Sequence, residues 1–402
     1  MKYDAILPGI IAKNDTKILL AVMDGLGGLP HPATRLTELE TAAIPHLHDI
    51  ARRSACGLMT PVLPGVTPGS GPAHLALFGY DPVEHQIGRG VLEVCGIGME
   101  LGPDDLAIRG NFATVDDHGI VVDRRAGRIS TEENRRLVAL IEKAAAGIPG
   151  ITVTIRTVKE HRCAILLKGR NLSPAVSEND PQKEGLPLLQ ISALSPDASQ
   201  TAALLNEFLA RARAALRGEK ANALLLRGFS RMPSLMPFGE RYRLRAACIA
   251  TYPMYKGLAK LVGMDVLPAG ETLGEQIRTL AQARADYDFF FFHIKKTDAK
   301  GEDGDFDGKV AALEEIDRSV PEILAPGFDT AVFTGDHSTP SLLKSHSWHP
   351  VPFALLSPSA LPDSVTRFTE RDCAKGILGR FPAVEAMFLM LAHSGKLQKF
   401  GA

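Results

Sequence analysis

The sequence has no surplus charge of either sign: 45 Lys and Arg stand against 46 Asp and Glu, a formal net charge of -1 over 402 residues. No global field therefore draws the chain to nucleic acid or to an anionic membrane, and an anionic ligand must be held by local clusters. Cysteine is scarce as well. The five residues Cys56, Cys95, Cys163, Cys248 and Cys373 are widely spread and form no C-x-x-C pair, which argues against a zinc knuckle or a redox motif and for reduced thiols in a cytoplasmic protein. Long apolar runs are missing too. The most apolar later run, Phe289 to Phe292 with His293 and Ile294, falls far short of the roughly 20 residues a membrane helix needs. The stretch MKYDAILPGIIAKND carries Asp4 and Pro8 within a short apolar segment and lacks a small-residue cleavage site, so it reads as a leader segment and not as a signal peptide. Internal repeats and long low-complexity tracts are likewise absent.

What is present is ordinary for a folded chain, with 45% hydrophobic and 23% charged residues. The length exceeds that at which one hydrophobic core usually stops growing, so two domains are expected. Residues 18–23, 287–294, 330–334 and 351–356 are apolar runs of strand length that end in polar or glycine-rich loops. Runs apolar on both faces suit a buried parallel sheet, and residues 44–54, 309–324 and 383–391 supply helical patterns between them. An α/β core follows. The middle of the chain reads differently, with short or alternating strands at 111–123, 151–157 and 163–168, a helix at 202–216, and polar, Pro-containing loops such as 171–182. It is expected to be an inserted smaller α+β domain over residues 105–254, leaving 1–104 and 255–402 as a discontinuous core.

Three segments carry candidate chemistry. In VTPGSGPAHLALFGYDP, Ser70 stands between two glycines just ahead of a helical stretch at 72–78. A helix N-terminus favours a phosphoryl group on a serine oxygen; an ordinary helix-capping serine is the alternative. In VFTGDHSTPSLLKSHSWHP, Asp336 and His337 follow a strand directly and His346 comes nine residues after His337. Strand ends are where α/β sheets place ligands, and adjacent Asp and His suit a metal, although an Asp-capped turn with a surface His reads equally well. Asp24, at a second strand end in LLAVMDGLGG, favours the metal, since two buried carboxylates need a cation to offset their desolvation. The segment around DGDFDGKVAALEE matches an EF-hand in full through Asp303, Asp305, Asp307, Gly308 and Glu314. An EF-hand needs a helix before its loop, and here a Phe-rich strand comes first. What survives is an acidic loop at another strand end, with Asp298 its first carboxylate. His74, four residues after Ser70, would share its helical face and either orient the nucleophile loop or serve as a core histidine.

Taken in order, MDGLGG, PGSGPAHLALFGYDP, IGRGVLE, RGNFATVD, DRRAGR, HRCAILLKG, TYPMYKGLAKLVGM and TGDHSTP resemble the cofactor-independent phosphoglycerate mutases of archaeal type, within the alkaline-phosphatase superfamily. The resemblance implies an alkaline-phosphatase-like core with a central, mostly parallel sheet flanked by helices. It also implies two divalent ions, Mn2+ above all with Zn2+, Co2+ or Mg2+ as alternatives. One would be held by Asp24, Ser70, Asp336 and His337, the other by Asp298, Glu302 and His346. Paired ions would activate the Ser70 hydroxyl, which is barely ionised at neutral pH. Two positions depart from the family pattern: Glu302 stands where a His is usual, which leans toward Mn2+ or Mg2+, and Gly71 replaces the acidic residue after the nucleophile. The implied reaction interconverts 3- and 2-phosphoglycerate through phosphorylated Ser70 without bisphosphoglycerate; the departures keep open a related phosphotransferase or phosphomonoesterase for another small phosphorylated metabolite. Arg109, Asn111, Arg124, Arg125, Arg128 and Arg162 would bind the substrate, since the planar guanidinium fork suits carboxylate and phosphate. Lys256 would neutralise the phosphoryl group. For each of these cations taken singly, a solvated surface role is the alternative.

Overall fold

The computed structural model describes residues 2–401. Among them thirteen strands follow in chain order: β1 Ile18–Met23, β2 Ala55–Thr60, β3 Leu106–Val115, β4 Val121–Asp123, β5 Ile151–Lys159, β6 Arg162–Gly169, β7 Ala223–Ser230, β8 Ala246–Ile249, β9 Asp265–Val266, β10 Phe289–Ile294, β11 Thr330–Thr334, β12 Val351–Leu356 and β13 Gly379–Pro382. Eight of them make one sheet in the order β13-β2-β12-β11-β1-β10-β8-β9. Neighbours are parallel except at β12, which runs antiparallel to both β11 and β2. The sheet is therefore mostly parallel, as expected, with one reversed strand that an apolar run cannot announce. β1, β2, β10 and β11 are buried along their whole length, and all four phenylalanines of β10 are fully buried. Burial on both faces is what selects apolar runs without alternation.

Register sets the level at which these strands stop. Val22 of β1 lies opposite His293 of β10 on one side and Thr334 of β11 on the other. The residues that come next, Asp24, Lys295 and Gly335 with Asp336, therefore leave the sheet side by side, at the carboxyl ends where such sheets place their chemistry. The acidic segment expected to be a loop after β10 is instead a helix, Lys296–Asp303, followed by a long helix, Phe306–Leu324. Its carboxylates do not converge on a calcium site. Asp305 caps the long helix by accepting from Gly308 N at 2.9 Å, and Glu314 accepts from Ala43 N at 2.9 Å. Capping and loop anchoring consume the ligands that the motif would need.

The chain divides into two compact units: the residues up to Gln86 together with those from Leu235 onward, and Ile87–Ser234. Both divisions fall earlier in the chain than 105 and 254, for identifiable reasons. At the N-terminal boundary, the Arg89–Gly96 helix packs on β3, β6 and β7. At the C-terminal one, β8 pairs with β10 inside the large sheet. The second unit is an antiparallel sheet, β4-β3-β6-β5 with β7 also on β3. The Thr131–Ala145 helix, capped by Ser130, and the Ser199–Ala215 helix bury Leu137, Ile141, Leu205 and Phe208 against Ile155, Ile165 and Leu224. Among the described residues no helix is long and apolar enough to cross a membrane.

Candidate active site

Ser70 opens the Ser70–Leu77 helix, and the N-cap position belongs to Gly69. A capping serine would spend its hydroxyl on a backbone N–H two or three residues ahead. Here Ser70 Oγ instead lies 3.2 Å from His337 Nε2, which leaves the helix end uncapped and its hydroxyl directed at the strand-end cluster. One turn on, fully buried His74 holds that helix end in place. Its Nδ1 lies 2.9 Å from the Ser70 carbonyl oxygen and 3.2 Å from Asp336 Oδ2, so Nδ1 faces two acceptors and carries the proton.

Asp24, Asp336 and His337 are all fully buried. Asp336 Oδ1 accepts from Gly25 N at 3.0 Å. His337 Nε2 lies 3.1 Å from Asp336 Oδ2 and 3.4 Å from Asp24 Oδ1. Its tautomer follows from the far side of the ring. Thr339 Oγ1 donates to Asp298 Oδ1 at 2.7 Å, so its remaining lone pair must accept from His337 Nδ1 at 3.0 Å. His337 Nε2 is therefore an unprotonated acceptor. Asp24 Oδ1, without a hydrogen-bond partner, and Asp336 Oδ2, which also neighbours His74 Nδ1 at 3.2 Å, face it. An imidazole nitrogen and two carboxyl oxygens gathered on one point are a donor set that fits a divalent cation.

A second group lies beside the first. Asp298, buried in the first turn of the Lys296–Asp303 helix, has Oδ1 3.6 Å from His346 Nε2. The His346 ring stacks on that of His337 at 3.7 Å between centroids, and its Nδ1 lies 2.9 Å from the Pro68 carbonyl oxygen, which assigns the proton there and turns a bare Nε2 inward. Asp24–Asp336–His337 and Asp298–His337–His346 each bring three ligand atoms within 4.8 Å of one another. Glu302 stands at the rim. Its side chain is 56% exposed with Oε1 3.8 Å from His346 Nε2, so it belongs to neither group as it stands, and burial followed by the charge of Asp298 raises its pKa.

The titration pattern of the buried groups reports a shortage of positive charge. Burial raises Asp24, but the hydrogen bond from His293 and the charge of Lys295 outweigh it and hold this carboxyl well below its usual range. Burial and then the charge of Asp24 push Asp336 well above. Of two adjoining carboxyls, one keeps its charge and the other is driven toward neutrality; a cation would let both ionise.

Other residues of this site escape a reading by motif. Lys295 Nζ is 3.0 Å from Asp24 Oδ2 and pairs also with Asp298 Oδ2, linking the two groups. Tyr255 donates its hydroxyl to Asp24 Oδ2 and stacks on His293 at 3.7 Å. Thr297 donates to the Asp24 carbonyl. The parallel register of β1 and β10 brings His293, Lys295 and Thr297 to Asp24, and the Pro253–Leu261 helix brings Tyr255. Lys256 is half-buried on the Pro253–Leu261 helix, next to Tyr255.

In the second unit, strand alternation sets Arg109 and Asn111 on one face of β3, with Arg162 paired to Asn111 and Arg227 to Arg109. Arg109 Nε, Asn111 Oδ1 and Arg162 Nε are buried without partners. Burial lowers the Arg109 pKa, Glu93 opposes this, and Arg162, Arg89 and Arg227 add to it. Arg227, which sequence reasoning left out, joins this basic face through its register alone. The other predicted arginines sit elsewhere in the unit. Arg124 is clamped on buried Asp180 at 3.1 and 2.7 Å. Arg125 and Arg128 belong to a tight turn in which Asp123 accepts from Arg125 N at 2.7 Å and Gly127 N at 2.6 Å, and Ala126, Gly127 and Arg128 all have positive φ.

A family model for 2,3-bisphosphoglycerate-independent phosphoglycerate mutase matches residues 51–222. A probable enzyme of that name from Thermus thermophilus is 51% identical over 401 residues, covering 99% of both chains. Its counterpart from Aquifex aeolicus is 49% identical over 99% of this chain and 100% of its own. Among solved structures, a Pyrococcus horikoshii protein superposes with a TM-score of 0.83 at 30% identity, over 97% of this chain and 100% of that one. The cofactor-independent phosphoglycerate mutase of Thermoplasma acidophilum superposes with a TM-score of 0.73 at 29% identity, over 94% and 100%. With relatives this similar along nearly its whole length, the chain belongs to the 2,3-bisphosphoglycerate-independent phosphoglycerate mutases, a family of isomerases.

Proposed function

We propose that the protein interconverts 3-phosphoglycerate and 2-phosphoglycerate through phosphorylated Ser70, with two divalent ions held by the strand-end clusters. The observation that carries this is the convergence of Ser70 Oγ, His337 Nε2 and buried carboxyl oxygens of Asp24 and Asp336 at one point. The donor set fits a metal. Asp24, Asp336, His337 and Ser70 would hold one ion, and Asp298 and His346 the other, with Glu302 able to join them by a side-chain rotation. Such ions, Mn2+ first among them, would supply Lewis-acid stabilisation of the phosphoryl oxygens and lower the pKa of the serine hydroxyl.

The chain's own groups do the rest. Ser70 Oγ forms a bond to phosphorus as the bond to the 3-oxygen of glycerate breaks, and the hydroxyl proton passes to the departing oxygen. After glycerate turns, its 2-hydroxyl oxygen forms a bond to phosphorus as the bond to Ser70 Oγ breaks, and the 2-hydroxyl proton passes to Ser70 Oγ, which regenerates the hydroxyl. His74 holds the Ser70 carbonyl and so the attack direction, while Tyr255 and His293 hold Asp24. Arg109, Asn111 and Arg162, with Arg125 and Arg128, are assigned to the substrate's carboxylate. Arg124 is assigned there as well but would first have to leave Asp180. Lys256 is assigned to the phosphoryl group.

Purified protein loaded with Mn2+ should convert 3-phosphoglycerate in an enolase-coupled assay without added bisphosphoglycerate. Intact-mass measurement should reveal one added phosphoryl group that Ser70→Ala cannot carry, and that variant should be inactive. No turnover with any of Mn2+, Co2+, Zn2+ or Mg2+ would refute the reading; release of phosphate outrunning isomerisation would make the protein a phosphomonoesterase.

A further inference from the structure

The residues that imitate an EF-hand lead to a buried lysine with an unassigned role. Asp305 and Gly308 close the cap of the Phe306–Leu324 helix, and the next residue, Lys309, projects from its first turn into the interior, where it is fully buried. Its Nζ donates to three carbonyl oxygens, those of Gly25, Gly27 and Thr339, each at 2.9 Å. Three acceptors consume all three protons of an ammonium group, and a neutral amine, with two protons and a lone pair, would face one of the carbonyls with repulsion. Lys309 is thus held in its charged form by geometry. Glu38 Oε1 stands 4.0 Å away as countercharge, itself accepting from Ser341 N at 2.9 Å.

These carbonyls are not scattered. Gly25 and Gly27 belong to the loop that follows Asp24, and Thr339 to the loop that carries Asp336 and His337. Gly25 N in turn donates to Asp336 at 3.0 Å, and Thr339 N lies 3.1 Å from the Gly27 carbonyl oxygen. We propose that Lys309 is a positioning residue: an internal cation, outside the ligand set, that sets the spacing between the Asp24 loop and the Asp336–His337 loop and so pre-forms the metal site. A hydrogen-bonded clamp from a third element keeps the two loops at one spacing when the site is empty, so that Asp24 and Asp336 need not be brought together when the ion arrives. The Thr339 carbonyl it grips also fixes the residue whose hydroxyl sets the His337 tautomer.

The inference rests on reading these loops as metal ligands, and calorimetric titration with Mn2+ separates the two claims. If the wild-type protein takes up no Mn2+, the metal reading itself fails. Given wild-type binding, Lys309→Met, which keeps length without charge, should weaken Mn2+ binding by about 10-fold or more, the range seen for groups that orient ligands. Lys309→Gln, which retains two N–H donors, should recover part of it. Lys309→Ala should regain affinity and turnover in millimolar ethylammonium and not in tetramethylammonium, a response that a purely structural lysine would not give. Wild-type Mn2+ affinity in folded Lys309→Met would overturn the proposal. So would failure of all three variants to fold in the presence of ethylammonium, which would make Lys309 a stability residue only.

Discussion

Ser70 illustrates what one residue's surroundings can decide. Between two glycines ahead of a helix, a nucleophile and a cap look alike; placement at the first helical position, with Gly69 as cap and the hydroxyl on His337, separates them. His74 is its counterpart one turn later. Replacing it by Phe removes the donor to the Ser70 carbonyl and Asp336 while keeping the ring packing against Phe291. Turnover should fall by about 10- to 100-fold, with about 1–3 kcal/mol of stability lost for the unpaired buried acceptor, and His74→Asn, which restores an N–H near the same place, should recover much of kcat. In the other unit, His161 offers a pH signature. Burial, then the charges of Arg162 and Arg125, lower its pKa from the ordinary 6.5 to about 4. The folded state therefore favours the neutral ring. Its contribution is whole above pH 6.5, is lost progressively as the unfolded chain takes up a proton that the fold refuses, and changes no further below about 4. The urea midpoint should fall less between pH 6.5 and 4 in His161→Gln than in the wild type.

At the scale of elements, strands read well and their directions do not. The runs at 18–23, 330–334 and 351–356 coincide with β1, β11 and β12, because full burial leaves an unbroken apolar signal. Nothing in the 351–356 run tells that β12 runs against its neighbours. The acidic stretch after β10 reads as a loop because its carboxylates mask a helix that tertiary contacts stabilise, Asp298 being buried against Lys295 and Thr339. The loops at the strand ends are crowded: a Cβ added at Gly25, whose φ is +65°, would lie 2.5 Å from Thr339 Oγ1 and 2.8 Å from Asp298 Oδ1. Gly25→Ala should therefore displace the hydroxyl that sets the His337 tautomer. We expect a loss of about 1–3 kcal/mol in denaturant unfolding, together with weakened Mn2+ binding in calorimetry, whereas a change to stability alone would show that the loop tolerates the shift.

For the whole molecule, the buried carboxyls of Asp24, Asp298 and Asp336, with Lys295 the ammonium beside two of them, would couple metal binding to folding. Chelation should lower the melting temperature, and restoring the metal at about 100 times its dissociation constant should return about 2.7 kcal/mol. A melting curve insensitive to chelator and to added Mn2+ would contradict this coupling. The first unit should respond and the second should not, which residue-resolved amide exchange can separate, since the ligands all belong to the unit that contains the large sheet.

The amino-acid sequence by itself determined the α/β class, the buried strands, the family, and the residue types at the candidate ligand positions, because burial and motif chemistry are written locally. Only the tertiary structure decided which side chains serve those ligands from outside the motifs. Lys295, Tyr255, His293, Thr339 and Lys309 lie far from Asp24 along the chain and meet it, or the loop that follows it, through strand register and helix packing. It decided too that Arg227 lies across from Arg109 and that Arg124 and Arg227 both pair with Asp180. Contacts between residues hundreds of positions apart depend on how strands are ordered and aligned, and a periodic pattern along one strand carries no record of its neighbour.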